Sequence, residues 1–356
     1  MKKHISFFLC LCLVFSLCAC GNTARSVKKG TRLFTDSCGR EVEIPVEIDS
    51  IVPSGPLAQM ILYTVCPDKL QSLSSALTRT QKKYLDKSLW DLPVTGQFYG
   101  GAASVNYEEI IASAPDIIID MGEYMDTIVE DMDALQAQTQ TPVIFIEASL
   151  DAIARAYDLL GEVTGDVEQA EACAAYIRET LTDIAERAAR IPESERLRTI
   201  YAMGEYGNEV YGRGSIHAET LDYVGAENIA VVERYNAQGR TEVPMETMLL
   251  WNPDVLILGP DSNYREIWTD PMWANVSAVK SGRVYEIPLG PYNWLDQPPS
   301  VQRILGLKWL GNVLYPELYN YDMIDETRKF YALFWHYEVS ETEARELMEN
   351  SIYKDG

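Results

Sequence analysis

The chain has 356 residues, with 53 acidic and 30 basic side chains and a formal net charge of −23. Its 47% apolar and 23% charged content is that of a globular protein, which excludes intrinsic disorder, a collagen-like fibre and an all-membrane protein. The sign of the charge excludes nucleic-acid binding, because duplex affinity rests on lysine and arginine neutralising phosphate, and the length points to two domains rather than one core.

At the amino terminus Lys2 and Lys3 precede an apolar run from Ile5 to Ala19. The run falls short of the roughly 20 residues that span a bilayer. A basic start, an apolar stretch and small residues at its end predict a cleaved signal over residues 1–19. Leu17-Cys18-Ala19-Cys20-Gly21 resembles a bacterial lipobox, so Cys20 is the expected lipidation site, holding the protein at the extracytoplasmic face of the cell membrane. The competing reading is a plain secretory signal with an incidental cysteine. Loss of Lys2 and Lys3 takes the mature charge to −25. Of seven cysteines, Cys10, Cys12 and Cys18 leave with the signal. Cys38, Cys66 and Cys173 remain without C-x-x-C spacing, so neither a disulfide framework nor a zinc ribbon is specified. A Cys38–Cys66 bridge stays open beside the plainer reading of three small buried hydrophobes.

Residues 20–30 form the expected tether. Next, Leu33-Phe34-Thr35 and Glu41-Val42-Glu43-Ile44 flank Asp36-Ser37-Cys38-Gly39, a strand, turn, strand pattern closed by Pro45. Short β runs then alternate with helical stretches. Ser50-Ile51-Val52, Ile117-Ile118-Ile119 and Val143-Ile144-Phe145-Ile146 make one group; Arg198-Thr199-Ile200-Tyr201, Val255-Leu256-Ile257-Leu258 and Val284-Tyr285-Glu286-Ile287 make another. Continuous apolar strands alternating with helices predict an α/β protein of two Rossmann-like lobes with mainly parallel sheets. The lobes are expected over residues 31–150 and 193–356, the second with terminal helices. Residues 151–192, rich in Ala, Glu, Leu and Arg, are the expected long connecting helix, with a bend or break at Gly161 and Gly165.

The two lobes carry a shared pattern. Val105-Asn106-Tyr107-Glu108 and Val243-Pro244-Met245-Glu246 each open a helical segment that runs to Pro115-Asp116 or Pro253-Asp254 and then into a buried strand. On chemistry alone, Glu108 and Glu246 are acidic groups at helix amino termini, favoured by the macrodipole.

Further segments sharpen the comparison. Phe34 through Pro45, both Glu…Pro-Asp units, Thr220-Leu221-Asp222-Tyr223-Val224-Gly225-Ala226-Glu227-Asn228, and Asp270-Pro271-Met272-Trp273 through Tyr285 together resemble the iron-siderophore and vitamin B12 class of solute-binding proteins of ABC importers. The resemblance implies ligand held in a cleft between the lobes with little hinge closure, an ABC permease and ATPase as partners, and a monomeric receptor. It also implies one glutamate per lobe, Glu108 and Glu246, docking onto permease arginines.

In open parallel sheets ligands bind beyond the carboxyl ends of strands. The corresponding loops offer Ser54, Gly55 and Tyr99 in the first lobe, and Tyr206, Arg213, His217, Tyr292, Asn293 and Trp294 in the second, with Arg303 at the head of an apolar helix. Aromatic rings supply stacking area and arginine a fork of donors for carboxylate or oxyanion. Arg303 also reads as a surface ion pair, His217 as a satisfied helix-start residue, and Ser300 as a helix cap. Segment 292–303 resembles one found in family members associated with metal, haem or oxyanion uptake. Only His4, His217 and His336 occur, which disfavours a bare-metal site built from histidines; His336 reads as packing. No P-loop, H-E-x-x-H or G-x-S-x-G is present, so the chain reads as a binding protein needing no cofactor or resident metal rather than an enzyme. The expected ligand is a metal chelate such as a ferric siderophore or haem. The first alternative is molybdate or tungstate, held by Arg303, the backbone N–H groups after Ser54 and Tyr292. A second is a surface sensor or adhesion lipoprotein without transport.

Overall fold

The computed structural model describes residues 30–98, 104–233, 235–236 and 239–352. The expected signal, Cys20 and Tyr99 lie outside these residues. Strands β1 (Thr31–Thr35) and β2 (Glu41–Pro45) pair antiparallel as the predicted hairpin. Its turn is fastened by Asp36, whose buried carboxylate accepts the amide of Arg40 at 2.9 Å and faces the Arg40 guanidinium at 3.1 Å. Strand β3 (Ile51–Pro53) leads into helix α1 (Pro56–Val65). Helix α2 (Arg79–Tyr84), strands β4 (Gly96–Gln97) and β5 (Ser104–Val105), and helix α3 (Tyr107–Ser113) follow. Then come β6 (Ile117–Gly122), α4 (Ile128–Thr139) and β7 (Val143–Glu147). β3, β6 and β7 form a parallel sheet with β6 central. The hairpin covers its outer edge, where the Ser37 amide donates to the Phe145 carbonyl at 2.9 Å.

The connector is two helices, α5 (Ile153–Thr164) and α6 (Val167–Ala188). The break falls at Gly165, whose φ of 82° lies in the left-handed region that closes a helix. Gly161 stays helical and serves close packing instead, since a Cβ there would stand 3.0 Å from Ala170 Cβ. Along α6, Ala170, Cys173, Ala174, Ile177 and Ile184 return at helical spacing and are buried.

The second sheet contains β8 (Arg198–Met203), β9 (Glu209–Val210), β10 (Glu227–Asn228), β11 (Thr241–Glu242), β12 (Val255–Leu258) and β13 (Val284–Glu286). Helix α7 (Glu219–Tyr223) precedes β10 and α8 (Met245–Trp251) precedes β12. β10, β8, β12 and β13 pair parallel, as expected, but β9 and β11 run antiparallel, so this sheet is mixed. Helices α9 (Gln302–Leu314), α10 (Met323–Phe334) and α11 (Glu341–Leu347) complete the chain. Among the described residues no helix is long and apolar enough to cross a membrane.

Both sheets are apolar on both faces, which is why their strands read as unbroken hydrophobic runs. Side chains alternate along each strand, and so do their partners. Ile51, Ile117, Ile144, Tyr201, Val255 and Ile257 enter one core shared with α1, α6, α9 and α10. Val52, Ile118, Val143 and Phe145 line a separate core on the outer face of the first sheet. Ile200, Leu256 and Val284 do the same in the second. Cys38, Cys66 and Cys173 are free thiols, the last two buried.

The repeated pattern is matched in three dimensions. In each lobe a two-residue antiparallel pair, β4 with β5 or β9 with β11, precedes a seven-residue helix, α3 or α8. Each helix ends at a left-handed residue, Ala114 or Asn252. The Asp that follows ties the next strand to its parallel neighbour. Asp116 Oδ2 accepts the Ser50 amide at 2.9 Å, and Asp254 Oδ2 accepts the Arg198 amide at 3.1 Å.

Candidate ligand site at the lobe junction

At the carboxyl end of β3 the chain turns through Ser54 and Gly55 into α1, which has Pro56 at its first position and no side-chain cap. The leading amides of this helix therefore project the positive end of its dipole. Ser54 is buried and donates its hydroxyl to Asp120 Oδ1 on the neighbouring strand. Burial pushes the Asp120 carboxyl up to about 6, against the opposing pull of the Ser54 hydroxyl. A pKa above the unfolded value means that folding favours the neutral acid, so this group's contribution to stability is present below about pH 4 and lost as pH rises through about 6. Urea denaturation between pH 4 and 7 is expected to show a fall of roughly 2–3 kcal/mol that Asp120→Asn removes; an unchanged slope in the variant would refute the assignment.

Segment 288–303 bridges the lobes. The Tyr292 hydroxyl lies against the Gln59 side chain in the second turn of α1, and its ring packs on Trp335. Asn293 sits beside Tyr201 of β8, while its Oδ1 accepts the amides of Leu295 at 2.8 Å and Asp296 at 3.1 Å. Asp296 is fully buried, and its Oδ1 lies 2.8 Å from His217 Nδ1, which places the ring proton on Nδ1 whenever the carboxylate is ionised. His217 stacks on Tyr211 at 4.9 Å between centroids. Burial and the nearby Asp296 carboxylate hold the Tyr201 hydroxyl neutral, well above its ordinary pKa.

Arg303 is 2% exposed and organises this segment. Its Nε donates to Leu295 O at 2.8 Å, Nη2 to Ile216 O at 2.6 Å, and Nη1 to Glu219. The guanidinium is thus neither a surface ion pair nor an open fork. Ser300 does not cap α9: the helix starts at Gln302 with Val301 at the cap position and no side-chain cap, and Ser300 Oγ has no partner. Asn293 Nδ2 and Asp296 Oδ2 are likewise buried and make no hydrogen bond of ordinary geometry, although the Tyr201 and Tyr211 hydroxyls stand close by. Unpartnered buried polar groups cost about 1–3 kcal/mol each and are uncommon away from functional sites.

The structure gathers His217, Asn293 and Arg303 around Asp296 and sets Tyr292 against Gln59 of α1, whereas the contacts of Ser54 and Gly55 are with Asp120 and Gln97 of the first lobe. Trp294 is also fully buried, but its indole faces Tyr331 in the shared core. Arg213 is directed elsewhere. Its Nε donates to Asn228 O at 2.7 Å and its Nη2 reaches Glu227 at 2.8 Å, opposite the start of β8 rather than its carboxyl end. Tyr206, 68% exposed, faces solvent on the loop after β8. The sequence reading passed over Asp296, Tyr211 and Asp120, although Asp296 lies inside segment 292–303 and Tyr211 two residues before Arg213. Across the junction, Tyr223 donates to Asp151, and Glu219 faces Glu123 and Asp151. Burial raises the Glu219 carboxyl, with Arg303 opposing. Among the described residues no group of three or more His, Cys, Asp or Glu side chains is arranged to hold a metal.

A family model described as periplasmic binding protein matches residues 75–289. The chain belongs to this family. Its members here are solute-binding receptors of ABC importers, of the iron-siderophore and vitamin B12 class, which deliver small ligands to a permease and are not enzymes. An ABC transporter solute binding protein from Sulfurospirillum deleyianum superposes with a TM-score of 0.82 at 29% identity, covering 89% of this chain and 99% of that one. The molybdate-binding protein MolA of Haemophilus influenzae is 26% identical over 334 residues, 85% of this chain and 91% of the relative. The Fe(3+)-citrate-binding protein YfmC of Bacillus subtilis is 22% identical over 296 residues, 79% and 87% of the two chains.

Proposed function

We propose that this periplasmic binding protein is a lipid-anchored extracytoplasmic receptor that carries a compact oxyanion of the molybdate or tungstate class to its permease. The observation that carries the reading is the group of buried polar atoms without a hydrogen-bond partner on segment 293–300, which follows Tyr292, whose hydroxyl lies against Gln59 of α1. Helix amides, the Asn293 amide and the Ser300 hydroxyl are donors suited to the oxygens of a small anion. Ser54, Tyr292, Asn293 and Asp296 are each nearly or fully buried, which suits a ligand of a few heavy atoms better than a siderophore. Similarity to MolA points the same way. In this reading Arg303 braces the site and supplies long-range positive potential.

A second reading, a ferric chelate, draws support from the citrate-binding relative and from Glu123, Asp151 and Glu219, which disfavour a dianion. Calorimetric titration of the mature protein with molybdate, tungstate, ferric citrate and haem decides between them. The oxyanions are expected to bind saturably at one site; binding of a chelate alone would replace the first reading with the second.

Delivery rests on Glu108 and Glu246, both exposed in the first turns of the matched helices α3 and α8. Glu108→Ala and Glu246→Ala are each expected to reduce uptake in cells at least about fivefold, the size of one lost interfacial charge pair, with ligand affinity unchanged. Loss of affinity in either variant would remove it from the docking role.

A further inference from the structure

A cavity of about 540 Å³ opens at the far end of α1 from the junction, between that helix, α2 and the turn after α10. Tyr63 and Tyr84 are buried in its floor and Trp90, 37% exposed, stands in its wall. Three lysines crowd the same spot. Lys82 Nζ and Lys87 Nζ lie 5.5 and 5.9 Å from the Trp90 ring centroid, and Lys83 Nζ lies 4.9 Å from that of Tyr84. In a chain of net charge −23 this is a local reversal of sign. The acids facing it are largely committed. Asp86 accepts the Ser88 amide at 2.8 Å, and hydrogen bonding from Ser88 holds its carboxyl below the usual range. Glu343 accepts from Ser340 and from Tyr337, and faces Lys83 at 3.5 Å. Asp68 at the rim and Glu346, which acts on Tyr84, are further negative groups, and His336, its pKa lowered by burial, adds a neutral ring.

Ammonium groups above an exposed indole suit an occupant that is both flat and negative, since the ring gains aromatic contact while its charged end meets the lysines. We propose that this cavity is a second binding site, separate from the lobe junction, for small organic anions built on an aromatic ring bearing a carboxylate or sulfonate.

The test uses 2-naphthoate as probe and 2-naphthalenemethanol as its neutral counterpart, titrated into the full protein by calorimetry. Naphthoate is expected to bind at one site, at least about tenfold tighter than the alcohol, and to weaken with added salt. Lys82→Gln and Lys87→Gln, changes at the cavity rim, should each weaken it about three- to tenfold, and Trp90→Ala more, with circular dichroism unchanged. Molybdate added in excess should not displace it. No saturable binding, equal binding of the alcohol, or indifference to the double Lys82→Gln, Lys87→Gln variant would overturn the proposal. Displacement by molybdate would do so as well, by assigning the probe to the junction.

Discussion

Arg303→Ala is expected to lower stability by about 3–5 kcal/mol, a loss readable by urea denaturation, because it removes the buried guanidinium that faces Asp296 and Glu219. The guanidinium satisfies two carbonyls, Leu295 O and Ile216 O, and faces both Glu219 and the fully buried Asp296 at 4.0 Å. Without it Asp296 keeps His217 and the nearby Tyr211 hydroxyl but loses its neighbouring guanidinium, and Leu295 O loses its guanidinium donor while Ile216 O retains the Glu219 amide. Arg303→Lys should recover little, since an ammonium cannot reach three directions with a planar fork. A variant that folds with wild-type stability yet no longer binds ligand would show instead that Arg303 acts on the ligand directly.

Gly306→Ala is expected to be as severe. A Cβ at this position would stand 2.0 Å from the carbonyl oxygen of Trp294 and 2.9 Å from its carbon, both backbone atoms with no freedom to rotate away. Either α9 or segment 293–296 must move, so a stability loss of more than about 3 kcal/mol and loss of ligand binding are expected together. Thermal denaturation and titration of one preparation would check both. Full retention of binding would mean that the segment can shift without harm, and that its packing against α9 does not set the site.

Much of the fold was legible in the sequence for a simple reason. Strands buried on both faces leave an unbroken apolar signature, and all six predicted runs fall on β3, β6, β7, β8, β12 and β13. The Pro-Asp pairs were legible because each does the same local work, stopping a helix and pinning a strand. The antiparallel strands β9 and β11, two residues each, have no periodicity to detect. The site was legible only as a neighbourhood. Segment 292–303 stands out by its crowding of aromatic, amide and charged groups, but whether Arg303 points to a ligand or to Leu295 O depends on a backbone path that spacing does not encode. Arg213 misled for the same reason: its partner Glu227 comes from a strand placed beside β8 by long-range pairing.

The shared core has a mechanical consequence. Tyr201, Val255 and the helices that follow residue 302 are packed into the same apolar body as Ile51 and Ile117, so swinging one sheet away from the other would tear a continuous interior. A receptor built in this way has little elastic travel with which to announce that it is loaded. On the proposed reading, occupancy would be signalled by a handful of side chains at the seam rather than by a swing of the lobes.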